Sequence, residues 1–179
     1  MMFKLENNRK NFEKYRVLNN RSAQEYGETP MTPEALFEKA KKANAIPETA
    51  KLQSAFQFGV DADELADLVL SGVKTATTSA LDLYRDDEPL PQTGAYDVVL
   101  DSQNQAVCVI KNDRVIATKY LDVDAKHAYL EGEGDRSLTY WRQVHHAFFV
   151  EAYQSEGHVF DEQNTNMLLE NFHVVYPTT

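Results

Sequence analysis

The chain has 179 residues, of which 28 are acidic and 18 are basic, so its formal net charge is −10. This length fits one domain, and an apolar fraction of 42% is enough to form a hydrophobic core. Ten Lys and Arg against seven Asp and Glu precede Ser54, whereas eight and twenty-one follow from that position. Extended nucleic acids are bound mainly through Lys and Arg, so the acidic second part disfavours a long duplex and favours a short or small ligand.

The apolar runs and the cysteine content of the sequence bear on its cellular location. No stretch approaches the roughly 18 consecutive apolar residues of a membrane span. The N-terminus, which starts Met1-Met2-Phe3-Lys4, lacks the apolar segment of a secretion signal and soon becomes rich in Asn and Lys. The single cysteine, Cys108, excludes an intramolecular disulfide and argues against a cysteine-based zinc site. We therefore expect a cytoplasmic protein that has no membrane segment.

The first 30 residues are polar and only weakly periodic, which predicts an N-terminal extension that is either one helix or disordered. The domain itself is expected over residues 31–179. Its first helix should begin at Pro33, because proline suits the first helical position and Thr32 is a good N-cap. That helix should end before Pro47, since proline does not continue a helix.

Further along the chain, short β-prone segments alternate with amphipathic helices. Asp61 and Glu64 have capping-box spacing at the start of one helix, and Gly72 follows its end. Residues 101–105 are a hairpin-turn candidate, and the proline-containing residues 86–94 are predicted to form a loop. Strands are predicted over residues 54–58, 75–79, 95–100, 106–110, 115–121 and 168–176, and helices over residues 62–71, 124–130 and 137–153.

This order of elements predicts an α+β fold, a small β-barrel of five or six strands with flanking helices. The strands and helices do not alternate as in βαβ units. A dinucleotide-binding fold is excluded, because no glycine fingerprint lies between a strand and a helix.

Residues 72–79 form the first candidate site, with one lysine and several hydroxyl groups directly after a helix. Lys74 is a candidate for binding a phosphate or carbonyl, or for acting as the base of a hydroxyl nucleophile. The candidate hydroxyls belong to Thr75, Thr77, Thr78 and Ser79. The structural alternative is that threonines favour strands, while a lysine past a helix end interacts with exposed carbonyls and keeps its proton. In a regular strand Lys74 and Thr77 point to opposite faces, so a shared site requires a turn or bulge.

The second candidate site is the acidic loop of residues 131–137, in which three carboxylates alternate with two glycines. One carboxylate is a candidate general acid or base, and Arg136 is a candidate for clamping a phosphate or carbonyl oxygen. The alternative is a solvated loop in which Asp135 or Ser137 only caps the following helix. A calcium loop is excluded, because the side-chain ligands and the closing glutamate have the wrong spacing.

Two histidines are candidates for binding a metal ion, and two aromatic residues are candidates for stacking on a base. His145 lies on the apolar stripe of the last helix, which favours a core histidine that bonds a neighbour. His146 points about 100° away from it, so the two cannot chelate one metal ion together. Trp141 shares the stripe, which favours core packing. Tyr84, beside a loop, is the better candidate for stacking on a base.

With these residues identified, residues 34–176 resemble the ASCH family. The resemblance is carried in order by residues 56–59, 65–79, 91–94 and 131–141. Residues 72–79 are weak evidence alone, but their pairing with the acidic loop and Trp141 at this separation is fairly specific. The first thirty residues lie outside the resemblance.

The resemblance implies a barrel similar to PUA domains, which are RNA-binding modules, with a cleft between Lys74 and the acidic loop. Some small family members are amidohydrolases that act on acetylated cytidine nucleosides through a lysine, a threonine and a glutamate. Those roles fall on Lys74, Thr77 and either Glu131 or Glu133, with Glu131 preferred because it follows His127 at the family spacing. The present loop is longer than that of the small members. Ligand-binding roles are expected for Thr75, Ser79, Tyr84, Glu133 and Arg136.

Two alternatives use the same cleft, namely a ribonuclease and a non-catalytic RNA-binding module. The expected partner is therefore RNA or a small molecule similar to a nucleoside or nucleotide. Neither a cofactor nor a metal is expected.

Overall fold

The computed structural model describes residues 30–59 and 61–178. Its central element is a mixed sheet of five strands. The strands are β1 (Leu52–Gln57), β2 (Ala76–Ala80), β3 (Tyr96–Leu100), β4 (Ala106–Lys119) and β5 (Asn166–Pro177). Their order in the sheet is β1-β3-β4-β5-β2. β1 runs parallel to β3, and all other neighbours are antiparallel. The sheet is a half-barrel, so the predicted α+β barrel with flanking helices is confirmed.

Four helices flank the sheet: α1 (Pro33–Lys42), α2 (Ala62–Leu70), α3 (Ala125–Glu131) and α4 (Leu138–Ser155). Three of them begin with a side-chain cap. Thr32, Asp124 and Ser137 accept hydrogen bonds from the backbone N–H groups of Ala35, His127 and Tyr140. The prediction that α1 begins at Pro33 with Thr32 as its N-cap is confirmed. No helix in the described part of the chain is long and apolar enough to cross a membrane.

Two local predictions were wrong. The strands predicted over residues 106–110 and 115–121 are one strand, β4, because the register shifts between Asn112 and Arg114 bend the chain without ending its pairing to β5. The capping box at Asp61 does not form, since the Asp61 side chain makes no cap hydrogen bond. Asp63 instead accepts two 2.8 Å hydrogen bonds from Ser102, which join α2 to the β3–β4 turn. The predicted N-terminal extension lies outside the described residues, apart from Pro30.

Three apolar clusters fill the space around the sheet. The first lies between α2 and the concave face of the half-barrel and contains Phe56, Phe58, Leu65, Val69, Val99, Cys108, Ile110 and Phe172. The second joins α4 to β2 and β5 and contains Tyr120, Trp141, Phe149, Tyr153, Met167 and Leu169. The third joins α1 to β3 and β4. Residues 76–80 of β2 are all buried, because this short strand passes between the first two clusters.

Candidate functional site

Glu131 is the centre of a buried polar network between β2, α3 and α4. Its Oε1 accepts hydrogen bonds from Thr78 Oγ1 at 2.6 Å and from Trp141 Nε1 at 2.7 Å, and lies 3.2 Å from His127 Nε2. Its Oε2 lies 3.5 Å from Lys74 Nζ and 3.4 Å from the ring of His145. Glu131 is 0% exposed. This carboxylate therefore joins β2 and the residues just before it to α3 and α4.

The charge of Glu131 is stabilised although it is buried. Burial raises the pKa of a carboxyl, but the positive charges of His145 and Lys74 and the hydrogen bonds from the two histidines hold the pKa of Glu131 well below its usual value. His145 Nδ1 lies 3.0 Å from the carbonyl oxygen of Trp141. Both ring nitrogens of His145 thus lie near oxygen atoms of neighbouring residues. His145 is a core histidine bonded to its neighbours, as its place on the apolar stripe predicted.

Lys74 lies at the edge of this network and is only 1% exposed. Its Nζ donates a 2.7 Å hydrogen bond to Glu133 and is 5.1 Å from the centre of the Phe58 ring. Burial lowers the pKa of an amine, but the charges of Glu133 and Glu131 outweigh that effect and raise the pKa of Lys74. The structure therefore brings Lys74 together with both candidate glutamates, and it keeps the amine charged.

The acidic loop reaches Lys74 because α3 ends in a left-handed turn at Gly132, whose φ is +79°. A Cβ at this position would lie 2.6 Å from the carbonyl oxygen of Val73. Only glycine allows this close approach, which places Glu131 on the inner side of the turn and Glu133 beyond it. Arg136 stacks on the Tyr129 ring at 3.8 Å and donates to the carbonyl oxygens of Tyr129 and Val73. These contacts tie the loop to the segment that precedes β2.

The hydroxyl groups of β2 point alternately to two sides. Thr78 faces α3 and binds Glu131, whereas Thr77 lies opposite Glu170 of β5 and faces the concave side of the half-barrel. Thr77 is 1% exposed, and its Oγ1 has no hydrogen-bond partner within residues 30–59 and 61–178. The resemblance gave the catalytic role to Thr77, and Thr78 was counted only among the candidate hydroxyls.

Three other predicted ligand-binding residues take structural contacts. Ser79 Oγ lies 2.9 Å from the Tyr84 hydroxyl, and burial together with the charge of Glu170 raises the pKa of Tyr84. Thr75 Oγ1 donates to the carbonyl oxygen of Leu130 at 3.4 Å. Ser79 and Tyr84 border the same concave side as Thr77, and Thr75 lies at the entry to β2. Their assignment as ligand-binding residues stays a prediction.

Sequence analysis missed a row of polar residues on the concave face of the sheet. Asn112 of β4 donates through its Nδ2 to Asp97 of β3 at 3.0 Å and to Glu170 of β5 at 3.1 Å. All three side chains are at most 2% exposed. Asp97 stands out in the sequence because apolar residues follow it in β3, but Asn112 and Glu170 have polar neighbours in β4 and β5 and give no such signal.

Within the described residues, no three His, Cys, Asp or Glu side chains are arranged to hold a metal ion. Oε1 of Glu131 accepts two hydrogen bonds, and Oε2 faces the Lys74 ammonium.

The fold agrees with the comparisons to known proteins. The model of the ASCH domain matches residues 54–176. An ASCH domain from Lactobacillus crispatus JV V101 is similar in structure, with a TM-score of 0.74, 32% identity, and coverage of 80% of this chain and 93% of that one. A protein from Enterococcus faecalis V583 has a TM-score of 0.70, 29% identity, and coverage of 83% and 95%. No curated protein matches the sequence.

The half-barrel with its buried lysine and acidic loop defines an α+β domain of PUA-like type. The match over more than half of the chain shows the family, and the chain belongs to the ASCH domain family.

Proposed function

We propose that the concave side of the half-barrel binds a nucleoside-like ligand beside Lys74 and hydrolyses an amide on it, as in the acetylcytidine-type reaction. One observation carries this proposal. The Lys74 ammonium is paired with two carboxylates, and three residues later in the chain the Thr77 hydroxyl is buried without a hydrogen-bond partner in the described part of the chain. A buried hydroxyl without a hydrogen-bond partner lowers the stability of the folded protein, so such groups often have a functional role.

The ion pairs favour a cationic role for Lys74. The amidohydrolase resemblance assigns Lys74 as the base, but a base must be neutral, and the raised pKa opposes that state. A charged ammonium instead suits the carbonyl oxygen of the amide, on which negative charge develops during attack. We assign Lys74 this role.

The two glutamates differ in how far their side chains are exposed. Oε1 of Glu131 accepts hydrogen bonds from Thr78 and Trp141, Oε2 lies 3.5 Å from the Lys74 ammonium, and the side chain is 1% exposed. The side chain of Glu133 is 16% exposed and lies 2.7 Å from Lys74. We therefore assign Glu133 as the carboxylate that moves protons, and Glu131 as the residue that positions Lys74.

The proposed reaction has two steps. Thr77 Oγ1 forms a bond to the amide carbonyl carbon, its proton passes to Glu133, and the same proton then passes to the leaving amine as the C–N bond breaks. Water next attacks the resulting ester, so that the acid is released and the hydroxyl of Thr77 is restored. The overall change is amide plus water to carboxylic acid plus amine.

The charge of the site favours a small neutral ligand over RNA. Asp97 and Glu170 lie on the concave face, and the whole region from Ser54 onward is acidic. A phosphate backbone is repelled by such a surface unless basic side chains line its path. Non-catalytic RNA binding is consequently the outcome that the experiment must separate from hydrolysis.

The test is conversion of N4-acetylcytidine to cytidine by the purified full chain, followed by chromatography. We expect turnover by the natural protein and its loss in Lys74→Ala, Thr77→Val and Glu133→Gln. Matched controls are Lys41→Ala, Thr118→Val and Glu151→Gln, whose side chains lie on α1, β4 and the exposed side of α4. Each control should retain full turnover. Absence of turnover in the natural protein, together with salt-dependent binding of an RNA oligonucleotide, would replace this proposal with the RNA-binding module.

A further inference from the structure

Arg136 contacts the chain on both sides of the ion pair between Lys74 and Glu133. Its backbone N–H donates a 2.9 Å hydrogen bond to the carbonyl oxygen of Glu133, which closes the tight turn of residues 133–136. Its guanidinium donates through Nη2 to the carbonyl oxygen of Val73 at 3.5 Å, and Val73 directly precedes Lys74. Arg136 is thus hydrogen-bonded to one partner of the pair and to the residue next to the other.

The guanidinium of Arg136 is itself held by a second set of contacts. Its Nε donates to the carbonyl oxygen of Tyr129 at 3.1 Å, and its central carbon lies 3.8 Å from the centre of the Tyr129 ring. A planar guanidinium can donate in two directions while it stacks on an aromatic ring, whereas a lysine ammonium cannot reproduce this combination. The shape of the group, and not only its charge, therefore matters at this position.

The turn of residues 133–136 has a strained backbone. Arg136 has a φ of +62°, in the left-handed region that is uncommon for residues other than glycine. Such strain persists where the surrounding structure enforces it, and it is concentrated at functional sites. Tyr140 packs against the same turn, because a Cβ at Gly134 would lie 2.4 Å from its ring. Contacts with Tyr140 and the hydrogen bonds of Arg136 hold the turn in this conformation.

The backbone of Lys74 is fixed by other hydrogen bonds. Its N–H donates to the carbonyl oxygen of Leu68 in α2 at 2.9 Å, and the N–H of Thr75 donates to the carbonyl oxygen of Leu130 in α3 at 2.8 Å. Since the lysine is anchored in this way, the position of the turn decides how close the Glu133 carboxylate lies to the ammonium.

We infer that Arg136 is a positioning residue, which sets the place of the Glu133 carboxylate relative to the Lys74 ammonium and does not bind the ligand. The inference deepens the proposed function, on which its kinetic test rests. A carboxylate that moves protons must lie within hydrogen-bond distance of the groups it serves, so a small displacement of Glu133 slows the reaction.

The first test is a double-mutant cycle between Arg136→Lys and Glu133→Gln, measured by urea unfolding of the full chain, and it does not depend on turnover. Loss of the guanidinium contacts lowers stability in both backgrounds, but only the natural background also loses ion pairing. We expect Arg136→Lys to raise the unfolding constant at least about threefold more in the natural protein than in Glu133→Gln. Because lysine keeps the positive charge, this coupling reports the position of the carboxylate.

The second test is the kinetics of N4-acetylcytidine hydrolysis. We expect Arg136→Lys and Arg136→Met both to lower kcat by about tenfold or more, because the carboxylate is displaced. KM should stay within about twofold of the natural value, because binding of the substrate is not affected. Arg114→Lys and Arg114→Met, at an exposed position of β4, are the matched controls and should change neither constant.

Each other outcome has a definite meaning. Additive effects in the unfolding cycle overturn the inference, whatever happens to turnover. A raised KM with unchanged kcat in Arg136→Met, partly restored in Arg136→Lys, also overturns it and shows that Arg136 binds an oxygen of the ligand through its charge. Absence of turnover in the natural protein overturns the proposed hydrolase, and the unfolding cycle then decides the positioning role alone. If Arg136→Met does not fold, Arg136→Lys provides both measurements.

Discussion

Trp141 Nε1 donates a 2.7 Å hydrogen bond to Oε1 of Glu131, and both side chains are at most 2% exposed. The indole ring is also stacked on His145, with ring centres 4.0 Å apart. Trp141 therefore has two functions, since its ring fills the core beside α4 and its N–H satisfies the central carboxylate. A residue that the sequence indicated as core packing thus also supports the polar site.

Replacing this tryptophan separates its two functions. Trp141→Phe keeps an aromatic ring but leaves Glu131 with one donor fewer, so the free energy of unfolding should fall by about 1–3 kcal/mol, with part of that fall due to lost ring volume. Urea unfolding followed by circular dichroism measures the change. The exposed Tyr129→Phe is the control and should change stability by less than about 0.5 kcal/mol. Equal effects of both substitutions would contradict the hydrogen-bonding role of Trp141.

Thr77 and Thr78 provide a matched pair in adjacent positions of one strand. Thr78→Val removes the 2.6 Å donor of Glu131 and should lower the free energy of unfolding by about 1–3 kcal/mol. Thr77→Val removes a hydroxyl that has no partner in the described part of the chain, so stability should stay the same or increase. Under the proposed function, hydrolysis is lost in Thr77→Val. Denaturant unfolding and turnover, measured on both variants, check the pair. A strong destabilisation by Thr77→Val would contradict this account.

Lys74 should be required for stability because it compensates two buried carboxylates. Lys74→Met leaves the charges of Glu131 and Glu133 without this partner and should cost about 3–5 kcal/mol. Adding Glu133→Gln removes one of those charges, so the double variant should be more stable than Lys74→Met alone. A double-mutant cycle based on urea unfolding measures the coupling. Additive effects of the two changes would show that the pair is not coupled.

Acid should destabilise the protein through Glu131. Its folded-state pKa is depressed, so its stabilising contribution is complete above the unfolded value near 4.5 and is lost as the pH falls toward the folded value. The difference in unfolding free energy between the natural protein and Glu131→Gln should therefore shrink as the pH is lowered below about 4.5. Urea unfolding at a series of pH values measures this difference. For the exposed Glu151→Gln the difference should remain small throughout.

Substitutions of Gly132 and Gly157 by alanine distinguish the cost of a strained backbone from the cost of a steric clash. Both have positive φ, but a Cβ would meet the Val73 carbonyl at 2.6 Å in the first case and nothing within 4 Å in the second. Gly157→Ala should cost about 1 kcal/mol for its backbone conformation, whereas Gly132→Ala should cost clearly more. Thermal unfolding of the two variants measures the difference. Equal costs would show that the α3 turn moves away from Val73 without penalty.

The sequence by itself determined the elements that depend on local chemistry. The cap at Thr32 followed by Pro33, the strand that follows Gly72, and the turn at residues 101–105 all result from interactions among neighbouring residues, and the structure contains each of them. The order of strands and helices was enough to indicate the α+β barrel. The resemblance paired residues 72–79 with the acidic loop, and the contact between Lys74 and Glu133 agrees with that pairing.

Only the tertiary structure decided which side chains meet. The different environments of Glu131 and Glu133 depend on the left-handed turn at Gly132 and its contact with Val73, 59 positions earlier. The row formed by Asp97, Asn112 and Glu170 depends on the register of three strands that are separated along the chain. Alternation of residues along one strand determines which side chains share a face, but pairing between strands is a long-range property. For that reason the concave polar row became visible only in the folded protein.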